Sequence, residues 1–410
     1  MVSKMFDLLK YFGIKEGYKL PQALLECLLD NTRKEKLFND FLLENKDLSK
    51  SFFTNEFQTE HGDRDNFKQD FTPLNICKLT ALLGGKAEKI ADLCAGIGGL
   101  TVACWNFNPY SFYFCVEKTE RAIPFLLFNL AIRNINGIVV LGDILTLDTS
   151  NQERIFKLTP SYNFSEIEEI NGYTLDEFDL ILSNPPYSLK WQPFENQAFK
   201  YGIAPSKACD YSFIQIGLSL LNENGKMVFI LPHGVLFRGQ SEGKIRKGII
   251  EDNLISAVIG IADNCFLNTA IPVCLIEFDK NKTDKNILFV DASKECKKVG
   301  KINVLNDEHV NKIFDAVKSR KDIERFSSLA SFETIQQNDY NLNIPRYVDT
   351  FIKQELPPLT ETLNELFEID NQIKETSKQL ANDILSLKGF NKDEKEAVEK
   401  WARILKNGVL

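Results

Sequence analysis

Ala91-Asp92-Leu93-Cys94-Ala95-Gly96-Ile97-Gly98-Gly99-Leu100-Thr101 is the stretch from which the fold can be read. It follows a strand-like apolar run and leads into a helix-forming one. Glycines at 96 and 98 let the main chain turn sharply and let a ligand approach without a Cβ in the way. Amides exposed where the helix starts attract polar or anionic groups. Taken alone, such a loop suits a dinucleotide, another nucleotide-like ligand, or a plain strand–helix joint.

Outward from this loop the same alternation repeats. Apolar or β-branched runs occur at Ile90–Leu93, Ser111–Val116, Ile138–Leu141, Phe178–Leu182, Lys226–Leu231, Leu254–Ile259 and Pro272–Phe278. Amphipathic stretches such as Thr119–Asn134 and Tyr211–Leu221 separate most of them. Continuous apolar strands between helices predict a parallel sheet covered on both faces. The expected class is therefore α/β, a Rossmann-like doubly wound domain over 67–350 with a small N-terminal helical segment and a C-terminal long helix. Polar insertions at 146–177 and 188–209 are read as loops at strand carboxyl ends, where an open α/β sheet builds its site.

The flanks differ. Residues 1–66 have helical texture, with Pro21 early in the apolar stretch Leu20–Leu29 and an exposed connection at His61–Asn66. In 351–410, Leu359, Leu366, Ile373, Leu380 and Leu387 fall seven apart. That spacing keeps one stripe on one side of a long helix. The helix could fold back on its own domain, but Pro357-Pro358 detach it from what precedes, which favours pairing with a partner.

A chain of 410 residues exceeds what one core supports. Its 44% hydrophobic and 26% charged content is that of an ordinary globular protein. No apolar run is long enough for a bilayer and the amino terminus has no signal-peptide pattern, so a cytoplasmic address is expected. Of nine cysteines, Cys94, Cys104, Cys115 and Cys274 sit in apolar runs and read as core residues of a reducing compartment. None pairs at zinc-site spacing and there are three histidines, so no metal centre is expected.

Chemistry enters at the strand ends. Asp92, Glu117 and Asp143 close three consecutive strands. An acid at the second can accept hydrogen bonds from ribose hydroxyls, and one at the third can bind an adenine amine. Together they describe an adenosine pocket. Asn184-Pro185-Pro186-Tyr187 then closes the fourth strand. An exocyclic aromatic amine is a poor nucleophile because its lone pair is delocalised into the ring. Two preorganised acceptors, the Asn184 side-chain oxygen and the Pro185 carbonyl, draw its nitrogen toward tetrahedral geometry and free that lone pair. Pro186 keeps the carbonyl aimed, and Tyr187 offers an aromatic face to a base withdrawn from the helix stack.

At these residues the sequence resembles the N6-adenine DNA methyltransferases, and more narrowly the modification (M) subunit of type I restriction–modification enzymes. Three further stretches carry the resemblance: Phe71-Thr72-Pro73, Leu231–Gly239 with Glu242–Arg246, and Tyr340–Tyr347. It implies S-adenosylmethionine as cofactor, with Thr72 and Pro73 at its methionine end, Asp92, Gly96 and Gly98 in the loop, Glu117 on the ribose and Asp143 on the adenine. It implies Phe266 as a second aromatic on the flipped base. It also implies double-stranded DNA as partner and a separate specificity subunit gripped through the C-terminal helix, and it leaves room for a second M subunit and a restriction subunit. The net charge of −8 is awkward for DNA binding, since phosphate contacts need Lys and Arg; a partner would carry much of the grip. Lys244, Arg246 and Lys247, on one exposed helix start, are candidate phosphate contacts or a solvated face. His233 reads as a structural loop residue. The chain departs from the family in Leu93, where Pro is common, in Lys68-Gln69-Asp70 before Phe71, and in a shorter amino-terminal region. Rival readings are methylation of RNA or of a protein glutamine amide, and a non-catalytic scaffold of a DNA-defence complex.

Overall fold

The computed structural model describes residues 6–54, 57, 71–146, 154–266, 271–351, 357–389 and 391–407. The connection expected at 61–66, the stretch at 68–70 and residues 267–270 lie outside the described residues. The chain forms two compact units, one ending at Thr350 and one beginning at Phe351.

The first unit opens with helices α1 (Leu8–Phe12), α2 (Leu20–Leu29) and α3 (Asn31–Glu44). The Asp30 side chain caps α3 by accepting from the Arg33 amide. The alternating part follows as α4 (Leu74–Gly84), β1 (Lys89–Asp92), α5 (Gly99–Trp105), β2 (Phe112–Glu117), α6 (Ile123–Ala131) and β3 (Asn136–Leu141). Then come β4 (Arg154–Thr159), β5 (Glu166–Ile170), β6 (Phe178–Ser183), α7 (Asp210–Leu220), β7 (Leu221–Pro232) and α8 (Gln240–Glu251). The unit closes with β8 (Ile255–Ile261), β9 (Val273–Asp279), β10 (Ile287–Ala292), a small hairpin of β11 (Lys297–Val299) and β12 (Ile302–Val304), α9 (Asp307–Ser319), β13 (Ser327–Ala330) and α10 (Phe332–Gln337).

Among the described residues eleven strands make one sheet, in the order β13-β10-β8-β9-β7-β6-β1-β2-β3-β4-β5. Its centre, β3-β2-β1-β6-β7, is parallel throughout. Chain order reverses between β1 and β6, which opens a crevice at their carboxyl ends. Both faces are covered, as the apolar runs required. Ile90, Leu180 and Leu182 point into the core beneath α6 and the N-terminal helices, while Ala91 and Ile181 point into the core with Phe213 and Ile214 of α7. The doubly wound α/β class is the observed one.

Two expectations need correction. The sheet is not wholly parallel: β9 runs antiparallel to both β7 and β8. The link from Ile261 to Val273 is too short to carry a crossover helix, so the chain returns antiparallel. The insertion at 146–177 is also more than a loop. It carries β4 and β5, an antiparallel pair that extends the sheet beyond β3. Its alternation of Phe156, Leu158 and Ile167 with Lys157, Glu166 and Glu168 marks a sheet edge with one solvated face.

The N-terminal helices share the core of this unit. Phe38 and Phe41 meet Phe128 of α6 edge to face at 5.0 Å each, and Phe53 and Phe57 meet Phe125 at 5.9 and 5.2 Å. The second unit is a helical hairpin of α11 (Leu359–Ser386) and α12 (Lys392–Lys406), packed through Ala381, Ile384, Ala402 and Leu405. Asn391 and Glu394 form a capping box at the start of α12. The heptad residues Leu359, Leu366, Ile373, Leu380 and Leu387 are exposed.

Candidate functional site

A cavity opens at this crevice. Its walls come from the carboxyl ends of β1, β2, β3 and β6 and from the N-terminal segment. Gly96 (φ +55°) and Gly98 (φ +94°) both occupy the left-handed region, which is why the loop after β1 needs glycine at these positions. A Cβ on Gly96 would meet the Phe71 ring at 3.3 Å, so the loop and Phe71 close tightly on one another.

Glu117, at the end of β2, is buried and lines this cavity. The Gly96 amide donates to its Oε2 at 2.8 Å and the Thr119 amide to its Oε1 at 2.7 Å. Burial raises its carboxyl above the usual carboxylate range, against the pull of those amides. Asp143, after β3, accepts from Lys118 Nζ at 2.8 Å and from the Leu145 amide at 3.0 Å, and it too lines the cavity. One bond thus ties the glycine loop to the acid of the next strand, and the turn after β3 orders the third acid.

Asp92 departs from expectation. It is buried, accepts the Thr101 hydroxyl at 2.8 Å and lies off the cavity wall. Its carboxylate braces the start of α5 from beneath, and burial pushes it up to about 7. Gly98 and Pro73 lie off the wall as well; Gly98 caps α5, and the Pro73 carbonyl accepts from the Ile76 and Cys77 amides at the start of α4.

Asn184, Pro185, Pro186 and Tyr187 line the cavity beside Thr72. Asn184 Nδ2 donates to the Thr72 hydroxyl at 2.8 Å, and Asn184 Oδ1 accepts from the Tyr187 hydroxyl at 2.7 Å. The amide is therefore oriented, with its oxygen on the Tyr187 side. Phe266 meets the Tyr187 ring edge to face at 6.2 Å, is buried, and lies behind the cavity wall.

Among the candidate phosphate contacts, Lys244 and Lys247 are exposed on α8. Lys247 also stands 5.0 Å over the Tyr340 ring. Arg246 is a correction: it is 4% exposed, and its guanidinium donates to the carbonyls of Tyr340, Val235 and Arg238. It faces inward because Ile245, Arg246 and Ile249 share the buried side of the helix. His233 contacts the Val273 carbonyl through Nε2 at 2.9 Å, and burial lowers its basicity, as befits a structural residue.

Sequence reading missed Ser51 and Thr54, which reach the cavity from the N-terminal segment, and Lys118, Leu189 and Phe213. No local motif marks them. Among the described residues no helix is long and apolar enough to cross a membrane.

The sequence profile of N-6 DNA methylases matches residues 51–355. The methylase subunit of the type I restriction enzyme MjaVIII from Methanocaldococcus jannaschii is 30% identical over 74% of this chain and 54% of its own length. The MjaVII methylase subunit of the same organism is 35% identical over 74% and 53%. The chain thus spans about half the length of these curated relatives. A solved type I restriction–modification methyltransferase subunit from Streptococcus thermophilus superposes with a TM-score of 0.61 at 35% identity, covering 68% of this chain and 59% of that one. The EcoKI M protein shares the fold at 14% identity, with a TM-score of 0.54 over 97% and 98% of the two chains. With its glycine loop, its strand-end acids and Asn184–Tyr187 around one cavity, and a family match over most of its length, this chain belongs to the N-6 DNA methylases.

Proposed function

We propose that this chain transfers a methyl group from S-adenosylmethionine to the N6 amine of adenine in DNA, as the modification subunit of a type I-like restriction–modification system with a separate specificity subunit. The observation that carries the reading is the fixed amide of Asn184 on the wall of the cavity that also presents Glu117 and Asp143.

The residues suit the cofactor. Glu117 is a buried acceptor where ribose hydroxyls would lie, Asp143 an acceptor where an adenine amine would lie, and Gly96 leaves the loop open to close approach. When bound, S-adenosylmethionine supplies an electrophilic methyl on a sulfonium. The protein's part is positioning and electrostatics. Thr72 holds Asn184 so that its oxygen can accept a hydrogen from the substrate amine, exchanging with or adding to the Tyr187 hydroxyl. The Pro185 carbonyl would accept a hydrogen bond from the amine's second N–H, which frees the nitrogen lone pair; the nitrogen would shed one proton after transfer. Tyr187 presents its ring to the base, with Phe266 edge-on behind it. The exposed stripe on α11 is the surface through which a specificity subunit would be held.

Asn184→Ala tests the assignment. DNA from cells carrying the chain with its genomic neighbours should show N6-methyladenine at one site by base-resolved mapping, and the variant should show none while its affinity for S-adenosylhomocysteine is kept. Wild-type methylation levels in the variant would overturn the reading.

A further inference from the structure

Segment 48–54 is held down far more firmly than a connection requires. The Arg133 side chain, 4% exposed, donates to the carbonyls of Leu48 and Lys50, and its guanidinium lies between the rings of Phe52 and Trp105, 5.0 and 5.8 Å from their centres. Asn106 Nδ2 donates to the Ser49 carbonyl at 2.7 Å. Asn129, wholly buried on α6, accepts from the Phe52 amide at 2.8 Å and donates to the Phe52 carbonyl at 3.2 Å. Buried amides and guanidinium groups spent on a neighbouring backbone fix that backbone, because any movement strands a desolvated polar group.

The same Asn129 amide donates to the Ile97 carbonyl at 3.0 Å. One side chain therefore registers segment 48–54 against the glycine loop. The residues placed on the cavity wall by this arrangement are Ser51 and Thr54, whose hydroxyls stand 3.2 Å apart. That mutual bond uses one of the two hydroxyl hydrogens. Asp143 and Lys118 belong to the turn after β3 and the end of β2, while Ser51 and Thr54 belong to the segment whose Phe52 shares Asn129 with Ile97 of the glycine loop.

Resting on the S-adenosylmethionine reading above, we infer that Ser51 and Thr54 hold the charged amino-acid end of the cofactor, with Asn129 and Arg133 as the residues that position them. An α-carboxylate accepts from hydroxyls, and a hydroxyl pair on a pinned backbone offers such donors without reorganisation. The N-terminal segment is then part of the cofactor site.

Calorimetric titration of the full chain with two ligands tests this. S-adenosylhomocysteine has the amino-acid end; 5′-methylthioadenosine has the adenosine and sulfur without it. Wild type should bind both. Ser51→Ala with Thr54→Val should weaken S-adenosylhomocysteine by about tenfold or more while methylthioadenosine stays within about twofold, the size expected for hydrogen bonds to a charged group. Thr54→Ser, which keeps the hydroxyl, should bind both as wild type does. Equal losses for the two ligands, or no loss for S-adenosylhomocysteine, would overturn the inference with the cofactor reading intact. Wild type that binds neither ligand would bring down both.

Discussion

Replacing Asp92 by asparagine probes how the glycine loop is braced. The carboxyl is buried beneath the start of α5, with the Thr101 hydroxyl donating to it at 2.8 Å, and burial pushes it up to about 7. In an unfolded chain the same group titrates near ~3.9. The folded protein therefore keeps this proton over about three pH units in which the unfolded chain has lost it. A group raised in this way favours the folded state least at high pH: its contribution falls as pH climbs from about 4 to about 7 and is constant beyond. Three pH units at 1.36 kcal/mol each give a loss on the order of 4 kcal/mol. Asparagine has nearly the same shape and does not titrate. Urea denaturation of both proteins at several pH values between 5 and 8 isolates the effect, since every other group cancels in the difference. The stability of Asp92→Asn relative to wild type should rise steadily up to about pH 7 and then level off. A difference that stays constant over this range would show that Asp92 ionises as a solvated acid does, and would refute the account of it as a buried brace.

Four further outcomes are expected. A Cβ on Gly137 would stand 2.3 Å from the Tyr113 carbonyl oxygen, so Gly137→Ala should destabilise the protein by about 3 kcal/mol or more, read as a lowered Tm. Tyr187→Phe removes the hydroxyl that donates to Asn184 but keeps the ring; transfer of labelled methyl should persist within about tenfold of wild type, and a loss as complete as that of Asn184→Ala would contradict a mainly stacking role. Lys244→Ala with Lys247→Ala should weaken binding to a random-sequence duplex and flatten its salt dependence by a slope of about 1 to 2 in fluorescence anisotropy. By contrast, Arg246→Met should chiefly lower stability, by about 3 kcal/mol, because three carbonyls lose their donor.

The amino-acid sequence by itself determined the central strands and the order of the site. Apolar runs with alternate residues buried on opposite faces specify a covered sheet, and the glycine loop, Glu117, Asp143 and Asn184–Tyr187 are each tied to a strand end by local chemistry. Such signals depend on neighbours within a few residues, so they survive in the linear order. The hairpin β4–β5 was legible in principle from its alternation, but its many charges read as a loop. Other features depended on distant partners. Arg246 in a basic cluster reads as surface until the carbonyls of residues 235, 238 and 340 are seen to converge on it. Asp92 reads as a ligand contact until α5 is seen to cover it. Ser51 and Thr54 carry no motif at all; they reach the cavity only because Asn129 and Arg133, some 80 residues along the chain, hold their backbone there. Burial and long-range hydrogen bonding are properties of the packed chain, and they decided which polar residues face the cavity and which hold the wall behind it.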